Sequence, residues 1–177
     1  MSKITLQNVR LSFPSLWRKA VFGGDETKYE GTFLLDKTTH ADVIKKIEAG
    51  IKAINADKHK GKALASDKVC LKDGDTIDYD GYAGNMSIKA SSTKRPMVVG
   101  RDKAPLTEDD GKPYAGCYVN AIVELWGQKN QFGERVNANL LAVQFAKDGA
   151  PFGDGVVASI DDFDDIETES SDLDDFI

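Results

Sequence analysis

Two stretches of two-residue alternation, 118–126 (YVNAIVELW) and 137–145 (NANLLAVQF), constrain this chain more than any other feature. A period of two sends successive side chains to opposite faces of an extended strand, and a helix cannot reproduce it. In the first stretch Val119, Ala121, Val123 and Leu125 form one apolar face, while Tyr118, Asn120, Ile122, Glu124 and Trp126 form the other. In the second, Leu141, Val143 and Phe145 are expected to point inward. The intervening GQKNQFGERV (127–136) carries Gly at both bends, so the segment reads as a long antiparallel hairpin whose loop presents Lys129, Phe132 and Arg135.

The same period recurs upstream. Residues 3–13 (KITLQNVRLSF) place apolar side chains at Ile4 and Leu6, then at Val9, Leu11 and Phe13, which predicts a strand whose phase shifts once near Asn8, as a bulge would produce. Residues 14–28 form a long loop holding Trp17, Arg18, Lys19 and Phe22, and 29–35 (YEGTFLL) return to strand. Residues 39–55 make the one convincing helix, with Thr39 as cap, Asp42 in the first turn and Val43, Ile44, Ile47, Ile51 and Ile54 on one face. Its lysines, Lys45, Lys46 and Lys52, read as a solvated face. His59, between Lys58 and Lys60, is expected at the surface. A short strand is expected at 69–71. Further on, Met86, Ile88 and Ala90 alternate against Ser87, Lys89 and Ser91, giving a strand with a core face and a small, polar, basic one.

Several chemistries are disfavoured by spacing. Asp73, Asp75, Asp78 and Asp80 crowd one turn-rich stretch without the positions of a calcium loop. They do not converge from separate elements as two-metal chemistry requires, so a metal-dependent nuclease is only the alternative reading. Cys70 and Cys117 stand far apart with no metal-ligand spacing and read as reduced thiols. No Walker loop, catalytic group or cofactor motif is present. No apolar run approaches the ~20 residues that span a bilayer, and the strand-like N-terminus has no signal-peptide character. The expected location is the cytoplasm.

Charge divides the chain in two. The whole has 23 basic and 29 acidic residues, a net −6, yet residues 161–177 (DDFDDIETESSDLDDFI) carry nine of the acids and no Lys or Arg. What remains, residues 1–160, holds 23 basic against 20 acidic residues, a net +3. The expected organisation is a domain over 1–160 followed by a disordered acidic tail. Within the body, residues 86–103 are the most basic window, a net +4, where Lys89, Lys94, Arg95 and Arg101 stand beside small Ser side chains that let a phosphate backbone approach.

About seven short strands, one helix and long loops predict a mainly β domain, a barrel or a sandwich, with an elaborated antiparallel barrel of the oligonucleotide-binding (OB) type preferred. In such a barrel the loop after the first strand and the loop joining the last two border the binding face. Here those are residues 14–28, with Trp17, Arg18 and Lys19, and 127–136, with Lys129, Phe132 and Arg135. The helix departs from the usual order, following the second strand rather than the third. A sequence-tolerant single-stranded DNA binder would draw stacking from Trp17, Tyr82, Tyr118, Trp126 and Phe132 and phosphate contacts from the cations. An interaction adaptor is the non-enzymatic alternative.

The phrases YDGYAG (79–84), ASSTKRPMVVGRDKAPLTEDDGKPYAGCYVNAIVELWGQ (90–128) and NANLLAVQFAKDGAPFGDG (137–155) resemble a bacteriophage family of single-stranded DNA-binding proteins. The resemblance covers most of residues 3–160. It implies an OB-fold protein that coats single-stranded DNA during phage replication or recombination, in the host cytoplasm, without a cofactor. By analogy with proteins whose acidic tails end near an aromatic, Asp174, Asp175 and Phe176 are expected to bind replication or recombination partners, although this chain closes on Ile177. Duplex DNA or RNA binding and self-association along DNA are left open by the sequence.

Overall fold

The computed structural model describes residues 3–152 together with 163, 164 and 166. Nine strands and one helix follow in order: β1 (Lys3–Ser15), β2 (Val21–Phe22), β3 (Asp25–Glu26), β4 (Tyr29–Asp36), α1 (Ala41–Lys58), β5 (Leu71–Asp73), β6 (Asn85–Ser92), β7 (Met97–Val99), β8 (Tyr118–Asn130) and β9 (Gly133–Lys147). The main sheet has the order β5-β6-β4-β1-β8-β9-β7, and a parallel pairing of β6 with β9 at Ser91 and Asn139 closes it. Five strands, β1, β4, β6, β9 and β8, therefore form a closed barrel. β1 neighbours β4 and β8, as in an OB fold, and β5 and β7 flank the closure. The barrel is the predicted architecture, and α1 does follow its second strand.

The inward rows fill the barrel. Ile4, Leu6, Val9 and Leu11 of β1, Phe33 and Leu35 of β4, Ile88 and Ala90 of β6, and Val119, Ala121, Val123 and Leu125 of β8 are all buried. The phase shift expected near Asn8 is real. The register jumps from Leu6 opposite Ala121 to Val9 opposite Val119, Asn8 adopts φ 55°, and its N–H donates to Asn120 Oδ1 at 2.8 Å. Asn tolerates this left-handed conformation better than most residues. α1 packs on β8 through two glycines: a Cβ at Gly50 would sit 2.8 Å from Leu125, and one at Gly127 would sit 2.7 Å from Ile54.

The hairpin departs from simple alternation. Ile122 faces Ala142 but Val123 faces Leu140, so Leu141 is the extra residue of a bulge. Leu140, 1% exposed, takes the core position expected for Leu141, which is only half-buried, and Val143 and Phe145 stay inward. Phe13 is a second departure. A register irregularity between Ser12 and Ser15 and φ 47° at Phe13 turn its ring outward, 54% exposed.

Local polar chemistry corrects three further expectations. The helix starts two residues late: Asp36 Oδ1, not Thr39, accepts the N–H groups of Thr38 (2.8 Å) and Thr39 (2.9 Å), and His40 is the N-cap. His40 Nε2 donates to the Gln7 carbonyl and Nδ1 accepts from the Asp36 N–H, both at 2.9 Å. His59 is buried rather than superficial, because α1 runs on to Lys58 and delivers the ring against β9. Its Nδ1 lies 3.1 Å from Glu134 Oε2 and its Nε2 lies 3.2 Å from the Arg135 carbonyl. The short strand expected at 69–71 begins two residues later, with Val69 making only an isolated bridge to Val136.

Both thiols are free; burial pushes Cys70 up to about 12 and also raises Cys117. In the turn-rich stretch 72–84, Lys37 Nζ bridges Asp73 (2.7 Å) and Asp75 (2.6 Å), and Asp75 Oδ1 also accepts the Gly84 N–H at 2.8 Å.

Two outcomes follow. Leu140→Ala lowers stability by about 2–5 kcal/mol in urea unfolding, whereas Leu141→Ala costs about 1 kcal/mol or less; equal losses would place the bulge elsewhere. The Lys37 ammonium, as the largest influence, lowers the Asp73 and Asp75 carboxyls from their ordinary 3.8, and those carboxylates in turn raise Lys37. The depressed carboxyls stabilise the fold above pH 3.8, and this is lost as pH falls through their folded values. In carboxyl-detected NMR titrations Lys37→Met moves both midpoints upward.

Candidate nucleic-acid interface

Because β4 and β6 pair along their full length, their outward rows lie side by side: Glu30 opposite Ser91, Thr32 opposite Lys89, Leu34 opposite Ser87. Small hydroxyl side chains leave this surface low. The segment 67–72 and the start of β9, with Arg135, Asn137 and Ala138, form one bank. Phe13 and the turn 77–82 form the other. The result is a groove of about 580 Å³, lined on its floor by Thr32, Ser87, Lys89 and Ser91. Lys68, Lys72, Lys89 and Arg135 line it, against the carboxylates of Glu30 and Asp67. Glu30, Lys89 and Ser91 continue into a second hollow bounded by Lys28 and by Val21 and Phe22 of the β2–β3 hairpin. The groove thus crosses the whole face of the β4–β6 pair.

One bank is aromatic. Phe13 meets Tyr79 edge-on with ring centres 5.1 Å apart, and Tyr79 meets Tyr82 at 5.4 Å. The Tyr82 hydroxyl shares a 2.8 Å hydrogen bond with Ser12 Oγ beneath the surface, and burial raises its pKa. Tyr82 is 3% exposed, but Tyr79 is 58% exposed and Phe13 54%. The buried ring therefore anchors two open ones. Gly81, at φ +86°, brings the turn so close to Phe152 that a Cβ would collide with that ring, and the Arg10 guanidinium lies over the same ring, 4.1 Å from its centre, while donating to the Ala150 carbonyl at 2.6 Å.

The sequence-predicted residues fall into distinct places. Lys89, Arg135 and Tyr82 line the groove, Tyr82 as the buried support described above. Arg135 Nη1 also donates to the Asp67 carbonyl at 3.2 Å, and its own carbonyl lies 3.2 Å from His59 Nε2, so its side chain and its backbone are each held once. Lys129 and Phe132 stand at the tip of the hairpin, just before the part of β9 that lines the groove, with Phe132 73% exposed and its N–H held by Asn130 Oδ1 at 2.9 Å. Trp17 packs against the core instead of presenting a free face, and its carbonyl accepts from Arg95 at 3.2 Å. Arg18 pairs with Glu108 at 3.4 Å, Lys19 is half-buried, and Lys94 is exposed in the turn after β6.

Tyr118 and Trp126 lie half-buried on the outward face of β8; Trp126 stands opposite Asn137, a groove-lining residue of β9, and Lys147 Nζ covers the Tyr118 ring at 4.9 Å. Arg101 sits beyond β7, where the Gln144 amide donates to the Gly100 and Arg101 carbonyls. Neither Trp17, Tyr118, Trp126 nor Arg101 is among the groove residues. The tail residues Asp174, Asp175 and Phe176 lie outside the described residues. Sequence reasoning missed Phe13 and Tyr79, the two open rings of the bank. Phe13 read as core by its period, and Tyr79 lay inside a run dominated by acids.

Metal chemistry finds no support: among the described residues no three His, Cys, Asp or Glu side chains are grouped to hold an ion. Asp73 and Asp75 face Lys37. No helix among the described residues is long and apolar enough to cross a membrane.

Comparison with known proteins agrees with this geometry. The sequence profile of the family described as the Enterobacter phage Enc34 ssDNA-binding protein matches residues 2–177. A putative protein p50 of Acyrthosiphon pisum secondary endosymbiont phage 1 is 45% identical over 174 residues, covering 93% of this chain and 94% of that protein. The solved single-stranded DNA-binding protein of bacteriophage Enc34 is 34% identical, with a TM-score of 0.77 over 92% of this chain and 90% of its own. The structure of that protein in complex with ssDNA is 33% identical, with a TM-score of 0.76 over 85% of this chain and 89% of its own. A closed barrel with this strand order, an open aromatic-cationic groove and a profile match along almost the whole chain lead to one conclusion: the chain belongs to the Enc34-type family of phage single-stranded DNA-binding proteins, a family of binding proteins and not of enzymes.

Proposed function

We propose that this protein binds single-stranded DNA with little regard to sequence, laying the strand across the β4–β6 face, and that it does so in phage DNA replication or recombination. The observation that carries the reading is the pairing, in one groove, of two open rings, Phe13 and Tyr79, with Lys68, Lys72, Lys89 and Arg135. Every base has a face that can stack, so aromatic platforms hold a strand without reading it, while cations follow the phosphates. Phe22 and Phe132, exposed at opposite loops, extend the same chemistry beyond the groove.

The acidic tail has two roles in this reading. Its nine carboxylates compete with DNA for the basic face, and its Asp174-Asp175-Phe176 segment recruits replication or recombination proteins. Competition within one chain acts at an effective concentration set by the tether, so it is felt most where salt screens least.

Tyr79→Ala and Phe13→Ala each weaken binding to oligo(dT) by about 1–2 kcal/mol, roughly five- to thirtyfold, without altering the salt dependence. Arg135→Met flattens the slope of log K against log salt by about 0.7. Fluorescence titration measures all three; unchanged affinity in the two aromatic variants would move the stacking site elsewhere. A chain ending at Ser159 binds oligo(dT) more tightly than the full chain at low salt, and the gap closes as salt rises. A gap that does not depend on salt would rule out electrostatic competition.

A further inference from the structure

Glu30 is out of place in a groove meant for phosphates. It stands on β4 between the two hollows, lining both, at the midpoint of the path. Its Oε2 lies 3.7 Å from Lys89 Nζ, and the pair is unequal: Glu30 is sunk into the floor, its side chain 21% exposed, while Lys89 is 60% exposed. The register puts Glu30 opposite Ser91 and Lys89 opposite Thr32, so the pair is diagonal across two adjacent strands with hydroxyls at the other two corners, and Lys28 bounds the second hollow with it. A rigid floor thus offers a strand one cation already partnered by a fixed anion.

Resting on the single-stranded DNA reading, we propose that Glu30 is a built-in counter-ion of Lys89, which a phosphate must displace, and that it limits both the affinity and the salt sensitivity of the groove. An unpaired groove cation condenses no charge of its own chain, and binding a phosphate there discharges a salt ion into solution. Lys89 is different. When a phosphate takes it, the cation leaving the DNA is offset by the freed charge of Glu30, which cannot diffuse away, stays beside the incoming phosphate and draws a cation back. The exchange therefore brings little of the entropy that normally drives association. It also leaves a like charge at the strand's midpoint, favouring release and rebinding over permanent capture. A strand held by the aromatic bank and by Arg135 can make the exchange, since those contacts lie on either side of it.

The test measures oligo(dT) binding by the full chain across a salt series. Glu30→Gln tightens binding about two- to fivefold at low salt, the range an exposed ion pair is worth, and steepens the salt slope by about 0.7. Glu30→Ser, which removes the charge and most of the side chain, does the same. In a Lys89→Met background Glu30→Gln leaves the slope where it was, because the cation that Glu30 partners is gone. Thermal midpoints establish that each variant is folded. Weaker binding by both Glu30 variants would assign the carboxylate to a base or to the fold, and an unchanged slope would remove it from the binding path; either overturns the proposal. Failure of the unaltered chain to bind oligo(dT) at low salt would instead overturn the single-stranded DNA reading on which it rests.

Discussion

Closing five strands into a barrel requires them to bend, and everything else in this molecule depends on how that bend is made. A strand of strictly alternating residues twists but does not turn a corner; extra residues inserted on one strand of a pair supply the curvature. β1 carries one at Asn8, and β9 carries one at Leu141 opposite Ile122 and Val123. With these in place, one row of each strand fills the interior, from Leu6 to Leu140, and β6 reaches β9. The outward rows of β4 and β6 are then left without a covering layer, which is how a groove comes to lie on this face.

The polar groups around that face are spent on holding its banks. Lys37 gathers Asp73 and Asp75 into the turn that carries Tyr79 and Tyr82, and Asp75 takes the N–H of Gly84 at the turn's far end. On the opposite bank His59 and Glu134 tie the end of α1 to the start of β9, and Lys62 adds a 3.0 Å contact to Glu134 that lowers its carboxyl below the ordinary range. These two clusters of titratable groups thus have structural partners, and the cations that face the groove are the ones to which the proposed function gives the phosphate contacts.

Much of this was legible in the sequence because period-two patterns are local. The inward rows of β1, β6 and β8, the strand character of β4, the bulge at Asn8, the hairpin and the basic outward row of β6 all follow from spacing. What spacing could not deliver was anything decided by register or by contacts between distant segments. Leu140 and Leu141 are both apolar, and only the partner strand decides which one turns inward. His59 looked superficial between two lysines because its acceptors lie about 75 positions away, at Glu134 and Arg135. Trp17, Tyr118 and Trp126 are aromatic residues of the right type, but only packing and register decide that Trp17 lies against the core and that Trp126 stops one strand short of the groove, opposite Asn137. The loop expected at 127–136 is mostly strand, since β8 and β9 stay paired from Gly127 opposite Val136 to Asn130 opposite Gly133, and the loop after β1 holds the short β2–β3 hairpin, while the groove's open rings came from the end of β1 and from an acid-rich turn.

Phe13 shows what such an interface demands of the chain that bears it. The residue holds a bulky side chain at φ 47°, a conformation that glycine would adopt with ease, and exposes more than half of the ring to solvent. Neither choice favours the folded state: a non-glycine residue in that region carries a conformational cost of about 1–3 kcal/mol, and an exposed phenyl group returns little by burial. Stability alone would place a glycine there. The position is therefore one where selection for a more robust fold and selection for a working surface pull in opposite directions, and a search for thermostable variants of this protein would be drawn to it and would lose the surface in the process.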